Sequence, residues 1–152
     1  MRDKFAQLGI RCYIPSKQVI RIRDHKRCKV DAPLIPNLIF LNCTKPAALS
    51  LANGYGLPLN FLIDHATRTL LEVPQKQMDD FIRVIEEDPA ALCPSDQVFQ
   101  AGQRVRVIAG NLQGVEGEVI SQQGETFLQL SLCGLLNARI QIPVAYVQAI
   151  RP

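Results

Sequence analysis

Three glycines, Gly110, Gly114 and Gly117, lie in the stretch QRVRVIAGNLQGVEGEV, residues 103–119, within an apolar, β-branched surround. Glycines this close together can cradle a phosphate, or they can simply turn a chain. A phosphate loop of the P-loop type needs G-x-x-x-x-G-K-[ST]. Here Gly117 is followed by Glu118, whose carboxylate repels a phosphate. A dinucleotide fingerprint needs G-x-G-x-x-G leading into a helix, but Gly110 and Gly114 are four apart and EVISQ, a strand pattern, follows Gly117. The stretch therefore predicts turns with φ > 0 between two short strands.

Other residue types that could do chemistry lack the necessary spacing. Cys12, Cys28, Cys43, Cys93 and Cys133 contain no C-x-x-C pair, and His25 and His65 no H-x-x-x-H pair. An odd, scattered set of thiols fits reduced cysteines in a cytoplasmic protein, with no structural metal and no cofactor. His65 follows Asp64 directly, a local polar pair with no third catalytic partner. No catalytic set is predicted.

Charge is the stronger signal. The chain of 152 residues carries a net +3, but residues 1–45 hold ten Lys or Arg against three Asp or Glu. Residues 72–96 hold seven acidic residues against two basic ones. A basic half suggests a polyanionic partner. Arg21, Arg23, Lys26, Arg27 and Lys29 place five cations within nine positions. Alternation puts Ile20 and Ile22 on the face opposite Arg21 and Arg23, so a strand with one basic face is expected. The reading as a cationic finger stands beside that of a solvated hairpin tip.

The elements that must position these residues follow from pattern. Residues 1–8 read as the end of an amphipathic helix stopped by Gly9, and 11–14 and 28–32 as strands. The run Leu38 to Leu41 reads as a central buried strand. KPAALSLANG reads as a short helix with Pro46 in its first turn. Residues 60–64 and 69–73 are further strand candidates. Met78, Phe81, Ile82 and Ile85 form an apolar helical stripe that Asp88-Pro89 ends. Two prolines in DPAALCPSDQ mark a linker. From Val98, five short strand-like runs predict a small all-β barrel. The expected class is α+β: a basic α/β domain over 1–88, a linker over 89–97 and the barrel over 98–152. No apolar run reaches the roughly 20 residues a membrane helix needs.

GQRVRVIAGNLQGVEGEV resembles the KOW motif, with Gly102, Val105, Val107, Gly110, Gly114, Gly117 and Val119 in its positions. PLIPNLIFL, residues 33–41, resembles the P-x-x-P-x-Y-x-F segment of the NusG N-terminal domain. Together, over nearly the whole chain, these resemble NusG-type transcription factors. The basic hairpin and the IPNLIF wording are most similar to the specialised RfaH-like and UpxY-like antiterminators of capsule polysaccharide operons. The implied fold is a NusG N-terminal α/β sandwich with an antiparallel sheet, joined to an SH3-like KOW barrel.

The resemblance also implies partners. Pro36, Leu38 and Phe40 would face the clamp helices of RNA polymerase. Alternation alone leaves open whether Leu38 and Phe40, or Ile39 and Leu41, face the domain's own helices. Arg21, Arg23, Lys26, Arg27 and Lys29 would lie near upstream or non-template DNA. The loop region with Lys45 and Arg68 falls where RfaH-like proteins read single-stranded DNA. Phe99, Leu135 and Leu136 would meet Rho or a small ribosomal protein. An alternative is a ribosome-associated, RNA-binding KOW protein, with Arg104, Arg106, Arg139 and Arg151 as the basic residues of its barrel. Two departures stand out: Leu38 replaces the usual tyrosine, and the family's opening Trp-Tyr strand has no counterpart in a sequence without tryptophan. The second implies a truncation, or a strand-swapped oligomer in which another molecule supplies the strand.

Overall fold

The computed structural model describes residues 2–35, 37–54, 59–93, 102–133 and 135–150. It is a mixed helix and antiparallel-sheet structure, compatible with the α+β class. Among the described residues no helix is long and apolar enough to cross a membrane. Residues 1–72 and residues 73–152 form two compact units.

In the first unit, α1 (Arg2–Gln7) is followed by β1 (Arg11–Tyr13), β2 (Ser16–Arg23), β3 (Lys26–Pro33) and β4 (Phe40–Asn42). After these come α2 (Lys45–Asn53), β5 (Ile63–Asp64) and β6 (Thr69–Leu70). The core is small. Phe5 and Leu51 are buried, and Leu8, Ile10, Cys12, Ile39, Leu41 and Leu59 pack around them. Helix α2 starts where Thr44 accepts a hydrogen bond from the Ala47 N–H at 3.3 Å, a cap worth about 1 kcal/mol. Its third and sixth residues from Pro46, Ala48 and Leu51, then turn inward.

The expected central strand over Leu38 to Leu41 is shorter and less buried than its composition suggests. Among the described residues only Phe40–Asn42 of this run is extended in a ladder, and its one partner strand is β1, with Cys12 opposite Leu41 and Tyr13 opposite Phe40. Residues 38–41 are all half-buried. The apolar run is dense because both faces are used, not because it lies in the middle of a sheet.

Strands β2 and β3 pair only with each other among the described residues, over eight registered positions from Ser16↔Pro33 to Arg23↔Lys26. The turn is two residues, Asp24 (φ 50°) and His25 (φ 63°). Positive φ at both central positions matches the right-handed twist of the strands. At about 3.3 Å per residue the ribbon extends roughly 26 Å.

The second unit contains α3 (Gln75–Glu87), β7 (Gln103–Val107), β8 (Glu116–Gln122), β9 (Glu125–Leu132), β10 (Leu136–Gln141) and β11 (Val147–Ala149). The strands form one antiparallel sheet in the order β10-β9-β8-β7-β11. Val105, Val107, Leu128, Leu130, Leu132 and Ala138 are buried within it. Gly110 (φ 85°) and Gly114 (φ 93°) turn the chain between β7 and β8. Gly117 has a different reason. It lies inside β8, where a Cβ would stand 2.6 Å from the Gln129 carbonyl oxygen. It permits close approach of β8 and β9 rather than a turn.

Helix α3, expected as the last helix of the first domain, packs within the unit that contains this sheet. Its buried face is Asp80, Phe81, Val84 and Ile85, rotated from the expected Met78-Phe81-Ile82-Ile85 stripe. Asp80 is the polar member of that face. It is 3% exposed; one carboxylate oxygen takes a 2.7 Å bond from Lys76 Nζ, and the other accepts from the Glu116 N–H at 3.1 Å. Lys76 also donates to the Gly114 carbonyl at 2.7 Å, and Arg83 to that of Asn111 at 3.1 Å. Beyond the helix, Leu92 bridges Ala138 and the Cys93 N–H donates to the Asn137 carbonyl, so residues expected as linker extend the β10 edge.

Replacing Asp80 by Ala leaves the Glu116 N–H without its acceptor and takes from Lys76 its carboxylate partner, leaving it the Gly114 carbonyl. A loss of about 1–3 kcal/mol is expected. Chemical denaturation should show it, and hydrogen exchange should confine the change to residues 73–152.

Candidate nucleic-acid and protein interface

Phe40 and Tyr13 meet across the β1–β4 pair, with ring centroids 6.4 Å apart and planes tilted by 33°. Cross-strand neighbours on one face pack in this way. Ile39 and Leu41, on the other face, pack against Phe5 and Leu51. The alternation left open by the sequence is thus resolved in one direction: Ile39 and Leu41 close the core, and Phe40 projects on the opposite side. Leu38 is half-buried at the approach to this strand. Pro36 falls outside the described residues. Tyr13 was not among the expected site residues. Its signal was the strand pattern of 11–14, but the register that places it beside Phe40 is a tertiary feature.

On the β2–β3 ribbon, Arg21, Arg23, Lys26, Arg27 and Lys29 are all exposed. Directly opposed residues share a face, so Arg21 groups with Cys28 and Arg23 with Lys26. Arg27 and Lys29 belong to the other face, opposite Ile22 and Ile20. The five cations therefore divide between two faces instead of forming one basic side. Residues 16–33 carry six Lys or Arg against two Asp. Lys45 lies at the start of α2 and pairs with Glu72 at 3.4 Å. Arg68 is exposed in the β5–β6 turn with φ 57°. In the same turn Asp64 Oδ1 accepts the Ala66 N–H at 2.9 Å, which fixes the loop locally.

In the second unit, Leu135 and Leu136 are half-buried at the β9–β10 turn, closed by the Leu135 N–H to Leu132 carbonyl bond at 2.8 Å. Phe99 and Arg151 fall outside the described residues. Arg104 and Arg106 of β7 both engage Glu116: Arg106 Nη2 at 2.7 Å and Nε at 3.1 Å on one oxygen, Arg104 Nη2 at 3.8 Å on the other. Across four strands, Arg104, Glu118, Gln129 and Arg139 stand in one register row. Arg139 reaches Gln122 and Gln129 at 3.5 Å each. The basic residues described on this sheet are thus turned onto its own acidic and amide side chains.

Among the described residues no group of three or more His, Cys, Asp or Glu could hold a metal ion. Family models return no match to the chain, and a search of curated proteins returns none at a significant level.

Hydrogen bonding from Arg106 holds the Glu116 carboxyl below the usual carboxylate range, with the positive charges of Arg106, Lys76 and Arg104 acting in the same direction against partial desolvation. A depressed folded-state pKa adds stability above the unfolded value and loses it as pH falls through the folded one. The acid limb of the stability profile, below about pH 4, should therefore be less steep in Glu116→Gln than in the wild type. Parallel limbs in thermal melts across that range would contradict the assignment.

Proposed function

We propose that the chain is a NusG-type transcription elongation or antitermination factor. In this reading the first unit grips the clamp helices of RNA polymerase and the second, as a KOW barrel, engages Rho or a small ribosomal protein. The observation that carries the reading is the division of faces at residues 39–41. Ile39 and Leu41 pack on the core, so Phe40, itself half-buried beside Tyr13, lies on the opposite face of the strand, the face this reading gives to the clamp. An aromatic pair of this kind is a suitable anchor for an apolar helix face. It also supplies an aromatic ring close to the site where Leu38 stands in place of the family's tyrosine.

The exposed cations of the β2–β3 ribbon support contact with upstream or non-template DNA through phosphates, which gives affinity without sequence. The half-buried Leu135 and Leu136 are the candidate partner contacts of the second unit. Specialisation for polysaccharide operons rests on the IPNLIF and hairpin resemblance. The alternative, an RNA-binding ribosomal KOW protein, has less support, because Arg104 and Arg106 are occupied by Glu116 and Arg139 reaches Gln122 and Gln129.

Phe40→Ala should weaken retention of RNA polymerase by roughly 30-fold or more if Phe40 is an interface anchor. Binding measured by pull-down or biolayer interferometry that survives the double change Leu38→Ala and Phe40→Ala would remove the clamp assignment.

A further inference from the structure

The β2–β3 ribbon has a feature that phosphate contacts alone do not use. Ile20 and Ile22 are 65% and 74% exposed, among the most exposed large apolar residues described. Both lie on one face, toward the tip, and each is directly opposed by a cation, Ile20 by Lys29 and Ile22 by Arg27. On the reverse face Val19, Cys28, Val30 and Ala32 are all half-buried, and toward the tip that face carries Arg21, Arg23 and Lys26. Exposed isoleucines would ordinarily cost solubility, and here they stand on the projecting part of the ribbon.

We propose that this face enters the minor groove of duplex DNA, with Ile20 and Ile22 as apolar wedges against the base steps and Arg27 and Lys29 on the flanking phosphates. The proposal rests on the reading of the hairpin as a DNA contact. Three features identify the ligand class. The ribbon holds six Lys or Arg against two Asp, which selects a polyanion. It contains no Phe, Tyr or Trp, so the stacking platforms that hold single strands are missing from it. Residues two apart on a strand are separated by about 6.6 Å, close to twice the roughly 3.4 Å rise of a base pair, so the two side chains can address alternate steps. Aliphatic wedges entering from the minor groove unstack such steps and bend the duplex toward the major groove.

The test uses the full chain and a short mixed-sequence duplex labelled at both ends, so that energy transfer reports bending and titration reports affinity. No polymerase is present, so the outcome is independent of the clamp contact. The double variant Ile20→Thr and Ile22→Thr keeps β-branching in the strand and removes no buried group. It should abolish the bend and weaken binding about tenfold, with the salt dependence of log K unchanged. Arg27→Ser with Lys29→Ser should instead lower the salt slope by about 2. A minor-groove-binding dye should displace the wild type. The proposal is overturned if the Thr variant bends and binds the duplex as the wild type does. It is equally overturned if the wild type leaves the duplex straight, or if the chain prefers single-stranded DNA of the same sequence.

Discussion

Two-residue alternation along a short strand governs the first unit. Among the described residues its core centres on Phe5 and Leu51, and Ile39 and Leu41 pack against them. Once those two are committed inward, the pleat leaves Phe40 no choice of side, and the β1 register sets Tyr13 next to it. A half-buried aromatic pair on the face away from the core is thus a by-product of closing that core. The same economy shapes the hairpin, where Val19 and Val30 are half-buried on one face and Ile20 and Ile22 stay in solvent on the other.

In the second unit a polar contact takes the comparable role. Asp80 is buried in a helix face that is otherwise apolar, and Lys76 and the Glu116 N–H satisfy its two carboxylate oxygens there. A buried carboxylate is tolerated only with such partners. The contact joins α3 to the start of β8, and Glu116 in turn draws Arg104 and Arg106 of β7 together. Over residues 103–149 the three cations Arg104, Arg106 and Arg139 are matched in number by Glu116, Glu118 and Glu125, so this sheet carries no excess of positive charge. The exposed cations of the β2–β3 ribbon form the denser positive surface.

Much of this was legible in the sequence. The turn glycines Gly110 and Gly114, the hairpin around Asp24 and His25, and the short helix with Pro46 in its first turn follow from local rules that tertiary context did not override. Gly117 could not be separated from its neighbours, because its reason is a carbonyl on another strand. The rotation of α3 was hidden for a similar cause: an aspartate at position 80 reads as solvent-facing until its partner, 36 residues further along, is known. The expected boundary after Asp88 followed proline and charge, whereas the compact units divide between Glu72 and Val73. At the candidate interface, residue types were readable, but the choice between Phe40 and Ile39 needed the core, and Tyr13 needed the register.

The proposed polymerase contact puts the Phe40 face, and not its neighbours, against the clamp. Photo-crosslinking tests it most directly, with a photoreactive phenylalanine analogue placed at Phe40 and, as a control, at the exposed Leu49. A crosslink from position 40 to the clamp helices, with none from position 49, is the expected result. Crosslinks of equal yield from both positions, or none from position 40 while the chain remains bound to polymerase, would contradict the account.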